Sequence, residues 1–377
     1  MLFMVWSRSV LQMTVDYDAG LLTLWLGCPL VPASFAAILS CPMRTLLALL
    51  LAAALALAVI AVGAWWWLDQ PLRLRPDVSS EPEPEFTIER GSSARQAASQ
   101  VVRAGADVPD LWLHAWFRLS GQARSIQAGT YALTPGLTPR TLLDRLARGE
   151  QVLRNITLIE GWTFSDMLKA LEASENLRQD LNGLSPGQIM ERLGRPGIHP
   201  EGRFYPDTYR VARHTPVSVV LQQAAQAMDR QLAQAWSQKH PDSPLRSPEE
   251  ALILASIIEK ETGSPEDRAL IGGVFSNRLR IGMRLQTDPT VIYGLGVRFD
   301  GNLRKIHLQT DGPYNTYTRA GLPPTPIAMP GQASLMAAVR PASTRALYFV
   351  ARGDGSSHFS ETLDEHNAAV RRYILNR

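Results

Sequence analysis

Ser247-Pro-Glu-Glu-Ala-Leu-Ile-Leu-Ala-Ser-Ile-Ile-Glu-Lys-Glu-Thr-Gly263 reads as one capped helix with an interior made for a core. Ser247 is placed to cap, Pro248 to occupy the first turn and Glu250 to complete a capping box. Gly263 is the expected stop. At 100° per residue, Glu261 projects between Ile257 and Ile258, in line with Leu254, while Glu259 points to nearly the opposite side. A carboxyl on the apolar side of a helix is costly unless something uses it. Apolar neighbours and the negative end of the helix dipole both raise its pKa, which holds a general acid protonated near neutral pH. Glu261 is therefore the expected catalytic residue, with Glu259 as the alternate. The competing readings are a Glu261 paired with Lys260, Arg278 or Arg280, and a Glu259 that is an ordinary solvated helix residue.

The start signal recurs at once in Ser264-Pro-Glu-Asp267, opening a helix through about Arg280 and Gly282, so two helices meet at a corner just after Glu261. Beyond it, Asn277 and Arg278 lead to Gln286-Thr287-Asp288 before Pro289, a polar stretch suited to hydrogen-bonding hydroxyls and N-acetyl groups. Asp288 alternatively caps the helix begun by Pro289. Tyr314-Asn315-Thr-Tyr317 and Gly321-Leu-Pro-Pro324 form an aromatic, rigid loop whose tyrosines either stack on sugar rings or pack onto the core. Residues 347–351 and 358–360 flank a Gly353-Asp-Gly355 turn as a hairpin, and an amphipathic helix over 364–374 closes the chain. The 7 histidines show no compact ligand spacing, and His358 and His366 read as surface residues. With no phosphate-cradling glycine loop and no GxSxG elbow, neither a metal nor a cofactor is implied.

Upstream, residues 217–236 carry uninterrupted helical periodicity, and Glu201-Gly-Arg-Phe-Tyr-Pro-Asp-Thr-Tyr209 is a polar-aromatic loop. Breakers around 185–200 suggest a boundary there. Two earlier stretches share one pattern: Phe86-Thr-Ile-Glu-Arg-Gly91 and Ile156-Thr-Leu-Ile-Glu-Gly161 each give a short strand, a glycine turn, a Ser or Thr cap and a helix. Between them, Gly129-Thr-Tyr-Ala-Leu133 reads as a strand, followed by a helix over Pro139–Arg148 with Thr138 as its cap. Such β-α-β units resemble LysM-like modules, which bind N-acetylglucosamine-containing glycans; a structural spacer is the alternative. Residues 71–84, rich in proline, serine and acid, read as an extended linker.

Residues 46–68 carry no charge and as a helix extend roughly 34 Å, enough to cross a membrane. Trp65, Trp66 and Trp67 stand where an interfacial aromatic belt belongs. The run exceeds a signal-peptide core and the tryptophans crowd any cleavage point, which favours a retained single-pass anchor. Arg44 against Arg73 and Arg75 gives no clear orientation. Residues 1–42 are atypical and suggest that translation begins at Met43. Of 377 residues, 45% are apolar and 19% charged, with a net charge of +3. That balance, without a basic-aromatic stripe, gives no reason to expect nucleic acid. Both cysteines, Cys28 and Cys41, precede the span, so the remainder has no disulfide framework.

The motifs at 201–209, 254–262, 277–294 and 314–324 together resemble the membrane-bound endolytic murein transglycosylases, the YceG-like family. The resemblance implies an α+β fold class: a single N-terminal transmembrane helix (43–70), a linker (71–85), a small LysM-like module with its connection (86–199) and a mixed α+β catalytic domain (200–377). It implies cleavage of the β-1,4 bond between N-acetylmuramic acid and N-acetylglucosamine in peptidoglycan, with a 1,6-anhydro end and termination of nascent strands. The family's catalytic glutamate falls on Glu261, with Glu259 still open. The substrate contacts expected are Asn277, Arg278, Gln286, Thr287, Asp288, Tyr314, Asn315 and Tyr317. The implied location is the bacterial inner membrane, with the catalytic domain on the extracytoplasmic face and cell-wall synthesis enzymes as candidate partners. Two other readings stand beside it: a hydrolytic muramidase or glucosaminidase using Asp288 or Glu201 as second carboxylate, and a non-catalytic wall-binding scaffold.

Overall fold

The computed structural model describes residues 41–75 and 83–375. The atypical extension up to residue 40, and residues 76–82 of the expected linker, lie outside the described residues. Two compact units divide the chain, one ending at Asp69 and the other running from Gln70 to Arg377.

In the first unit, α1 (Cys41–Leu68) is a single uninterrupted helix. Its segment Thr45–Leu68 is long and apolar enough to cross a membrane. None of the side chains from 45 to 66 is buried by protein, as a lipid-facing helix requires.

The second unit begins differently from a free linker. Leu72 N–H donates to Leu137 O, Arg75 N–H to Gly105 O, and Asp107 N–H to Arg73 O. Residues 72–75 are thus strapped to the body they were expected only to reach. Next come β1 (Glu85–Ile88), α2 (Ala94–Arg103), α3 (Asp110–Leu119) and β2 (Gly129–Ala132), where β1 and β2 pair antiparallel. After α4 (Pro139–Arg148) follow β3 (Leu153–Thr157), α5 (Phe164–Glu172), the short β4 (Leu177–Arg178), α6 (Pro186–Arg192), β5 (Thr208–Ala212) and β6 (Thr215–Pro216). β3 pairs antiparallel with β5.

The two expected repeats are therefore both present, but as strand–helix–helix–strand units closed by an antiparallel pair. Each turns at a left-handed glycine, Gly91 at φ 83° and Gly161 at φ 76°, a conformation open to residues without a Cβ. Ser93 and Thr163 then cap α2 and α5 with full capping boxes. The boundary expected at 199/200 is not a break. β3 and β5 pair across it, and Ile156, Met167 and Leu171 share one buried cluster with Val217, Val220 and Leu221.

The remaining elements are α7 (Val217–Ser237), α8 (Pro248–Glu261), α9 (Pro265–Arg280), α10 (Asp288–Leu295), α11 (Lys305–Gln309), α12 (Gln332–Val339), β7 (Tyr348–Ala351), β8 (Ser357–Ser360) and α13 (Leu363–Val370). α8 is the centre of this half, buried on every side from Ala251 to Ile258. α12 packs on it and on α9, close enough that a Cβ on Gly272 would lie 2.4 Å from Ala337 O. The β7–β8 hairpin covers Phe275 through Phe349, edge-on at 5.9 Å. His358 and His366 are half-buried rather than surface residues, His366 stacked on Tyr348 and His358 tilted against Tyr373. The whole is a mixed α+β architecture with its strands in two-stranded pairs among the described residues.

Candidate active site

Sequence dictates where α8 begins and ends. Ser247 accepts from Glu250 N–H, while the Glu250 carboxylate reaches back to Arg246 N–H at 2.6 Å, one residue beyond the expected capping box. The helix stops at Thr262 in extended conformation (φ −146°), and no left-handed glycine is used at Gly263. The charged tail Glu259-Lys260-Glu261 emerges where the buried stretch ends, and each of its side chains goes a different way.

Glu259 is not solvated. Its side chain is only 7% exposed and 3.7 Å from Arg268, and it accepts from Gly331 N–H at 2.9 Å. Lys260 Nζ donates to Gly161 O at 3.1 Å, while Gly161 N–H donates to Met329 O. The glycine turn of the second repeat is thereby clasped to the end of α8. Burial raises the pKa of Glu160 in that turn, Glu259 adds to the rise, and Arg268 opposes it.

Glu261 sits on the other side of the helix end, partly buried. Among the described residues its carboxyl accepts one hydrogen bond, from Thr287 Oγ1 to Oε1. Burial pushes its pKa up, the charge of Asp288 adds to this, and the Thr287 bond and the charge of Arg278 oppose it. Arg278, one of the counter-ions considered for it, is committed elsewhere. It donates to Leu285 O at 2.6 Å and Leu347 O at 2.7 Å, with its guanidinium over the Tyr348 ring.

Thr287 is held by its own buried network. Its N–H donates to Thr316 Oγ1 at 3.0 Å, and Thr290 Oγ1 donates to Thr287 O at 2.8 Å. It precedes α10 without capping it by side chain, because its hydroxyl is used on Glu261. Asp288 does not cap either; it accepts from Tyr317 Oη at 2.6 Å. Gln286, in the left-handed region at φ 49°, leaves its side chain exposed beside them.

The structure thus gathers Glu261, Thr287, Asp288 and Tyr317, with Gln286 adjoining and Arg278 behind them. The other expected contacts fall away. Asn277 donates to Thr344 O and Ala346 O and lines a separate cavity of about 210 Å³ with His240, Asp242 and Arg280. Asn315 is buried, its amide spent on His307 O, Leu308 O and Thr310 O. Tyr314 packs edge-on against Tyr293 at 5.0 Å and bonds Thr325. Among the described residues no three His, Cys, Asp or Glu side chains gather as metal ligands would.

Glu201 is buried, accepting from Phe164 N–H at 2.9 Å and Tyr293 Oη at 3.0 Å, and burial lifts its pKa to about 7. Its signal was an acid placed among Gly202, Phe204 and Tyr205. The carboxyl joins the N-terminus of α5 to α10, the helix that Thr287 introduces.

Comparison with known proteins places this geometry in context. The model of the YceG-like family matches residues 86–372. An endolytic murein transglycosylase of Bacillus subtilis (strain 168) is 30% identical over 338 residues, covering 84% of this chain and 92% of that protein. One from Streptococcus pneumoniae serotype 2 (strain D39) is 26% identical over 357 residues, covering 85% of this chain and 64% of the relative. A crystal structure of a yceG-like protein from Listeria monocytogenes matches with 27% identity and a TM-score of 0.47, covering 76% of this chain and 98% of that one.

Proposed function

The chain belongs to the YceG-like family, and from that premise we propose that it is an endolytic peptidoglycan lytic transglycosylase with Glu261 as its acid. The observation that carries this reading is a partly buried carboxyl of raised pKa, with Oε1 held by Thr287 and no protein hydrogen bond on Oε2 among the described residues. Protonated Oε2 donates to the glycosidic oxygen as the bond from C1 of N-acetylmuramic acid breaks. The carboxylate left behind takes the proton of the sugar's own 6-hydroxyl while O6 closes on C1. That gives the 1,6-anhydro end, consumes no water and returns Glu261 to its acid form. Asp288, Tyr317 and Gln286 border the carboxyl as sugar contacts, and the negative charge of Asp288 suits the positive charge that develops at C1.

A hydrolytic reading is favoured by one observation only, that Asp288 lies close enough to act on Glu261 electrostatically. Glu201 does not serve it, because both its oxygens are taken by Phe164 and Tyr293. Mass spectrometry of products from uncrosslinked glycan strands separates the two: anhydro ends are one water lighter than reducing ends. Glu261→Gln is expected to abolish strand cleavage and keep the fold, whereas Glu259→Gln is expected to keep measurable cleavage. Full activity in Glu261→Gln would refute the assignment.

The remaining parts fit one arrangement. α1 anchors the chain in the bacterial inner membrane with the second unit outside. The strand–helix–helix–strand unit of β1, α2, α3 and β2 is the core of a LysM-like glycan-binding part, and the second repeat together with residues 200–377 carries the chemistry. Cleavage close to the membrane would end nascent strands beside the enzymes that synthesise them.

A further inference from the structure

The cavity beside Asn277 is built where three segments meet: the connection from α7 to α8 at His240 and Asp242, the C-terminal half of α9, and residues 341–344 after α12. Hydrogen bonds fix all three. His240 N–H donates to Val339 O at 2.9 Å, Ala342 N–H donates to Ala269 O at 2.9 Å, and Asn277 Nδ2 holds Thr344 O and Ala346 O. The loop lies so close on α9 that a Cβ on Gly273 would stand 2.7 Å from both Ala342 O and Thr344 Cγ2. His240, Asp242 and Arg280 on the rim are exposed, so the cavity is a cleft open to solvent.

Its polar groups suit one kind of occupant. Arg280 donates to Asn277 Oδ1 at 2.8 Å and to Asp242 O at 3.1 Å. Neither acceptor is an ion, so these bonds orient the guanidinium without neutralising it. A guanidinium carries more N–H donors than two bonds use, and its fork matches a carboxylate. Ser276, 1% exposed, also lines the cleft, and its hydroxyl has no partner among the described residues. Buried hydroxyls are partnered as a rule, which favours a polar occupant. The carboxylate of Asp242 on the same rim disfavours a highly charged anion such as phosphate. A singly charged carboxylate at the end of a peptide, with amide N–H groups behind it, meets both signs.

Neighbouring residues of α9 serve the two sites, since Arg278 acts on Glu261 by its charge while Asn277 lines the cleft. A helix with its side chains is about 10–12 Å across, and a five-residue peptide reaches up to about 17 Å. In peptidoglycan, N-acetylmuramic acid carries such a peptide. We propose that the cleft at Arg280, Asn277 and Ser276 holds the free C-terminal carboxylate of the peptide borne by the strand that Glu261 cuts. The choice of ligand rests on the transglycosylase reading and deepens it. A peptide whose end has been joined to a neighbouring strand no longer offers that carboxylate, so the cleft selects uncrosslinked strands.

The test reads binding without turnover, by saturation-transfer NMR on the full chain in detergent micelles. The probes are the pentapeptide L-Ala-D-γ-Glu-L-Lys-D-Ala-D-Ala, the same peptide amidated at its C-terminus, and inorganic phosphate. The pentapeptide is expected to saturate the protein, and amidation or Arg280→Gln to weaken it by about tenfold or more. Phosphate at equal concentration is expected not to displace it. The amidated probe keeps the test valid if the Arg280 variant folds poorly. Absence of saturable binding, equal affinity for the amide, or unchanged affinity in folded Arg280→Gln would each overturn the proposal. Displacement by phosphate would mean a general anion site and overturn it too. Cleavage assays on uncrosslinked strands keep the two readings apart: peptide binding without cleavage retains the cleft and removes the transglycosylase, whereas cleavage without peptide binding does the reverse.

Discussion

In the proposed mechanism Thr287 selects the oxygen of Glu261 that acts, since its hydroxyl donates to Oε1 and leaves Oε2 to carry the proton. Thr287→Val keeps the volume and removes that bond, so the carboxyl loses its orientation; kcat is expected to fall by about ten- to a hundredfold with the melting temperature little changed. The same substitution has a signed effect on pH dependence. An acid works while protonated, so the rate falls as pH rises through the pKa of Glu261. The Thr287 bond lowers that pKa and the Asp288 charge raises it. Thr287→Val should move the falling limb of the pH–rate profile to higher pH and Asp288→Asn to lower pH; shifts in one common direction would defeat the electrostatic account. Glu201 supplies a stability counterpart. Its folded pKa of about 7 exceeds the ordinary 4.5, so the native state binds the extra proton. Its contribution is complete below about pH 4.5 and is lost as pH rises through about 7, a loss of about 3 kcal/mol in all. Denaturant melts of Glu201→Gln across that range should show a flatter pH dependence than the parent.

Among the elements, the α9–α12 contact has the least room. A Cβ on Gly272 meets Ala337 O, which is backbone and has no side-chain freedom with which to retreat. Gly272→Ala should cost about 1–3 kcal/mol by overpacking. Gly263→Ala, at the corner between α8 and α9 with nothing within 4 Å, should stay within about 0.5 kcal/mol. Thermal or urea melts of the two variants check the contrast. Helix starts were legible in the sequence because they are local: Ser93, Thr138, Thr163, Ser247 and Ser264 all cap as their spacing dictates. The unusual burial of α8 was legible too, from its apolar run. What could not be read was where charged side chains find partners outside their own helix. Glu259 reads as solvated because its partners, Arg268 on α9 and the Gly331 amide before α12, are brought to it only by the packing. Asn277 and Asn315 read as sugar contacts for the same reason, since a polar side chain and the carbonyls it will satisfy carry no shared sequence signal.

At the scale of the whole molecule, the second repeat belongs physically to the half that carries Glu261. Loop breakers near 185–200 look like a boundary in composition, but strand pairing between β3 and β5 is a tertiary event that composition does not encode. A fragment starting at residue 200 would lose Ile156, Leu158, Phe164, Met167, Leu171 and Leu177 from their cluster, and expose Val217, Val220 and Leu221. At roughly 1.5–3 kcal/mol for each large apolar side chain, that loss is comparable to the entire stability of a folded unit, about 5–15 kcal/mol. It would also leave Lys260 without Gly161, and α5 without the Glu201 bond that ties it to α10. The 200–377 fragment is therefore expected to be unfolded or insoluble and inactive. A fragment starting at residue 150 keeps the cluster and gives up a module with its own buried set, Phe86, Val101, Leu113, Phe117, Tyr131 and Leu146. It is expected to melt cooperatively and to retain cleavage of soluble strands. Circular dichroism melts and product analysis on the two fragments decide the matter: cooperative melting of the shorter one would show that the half bearing Glu261 folds without its repeat.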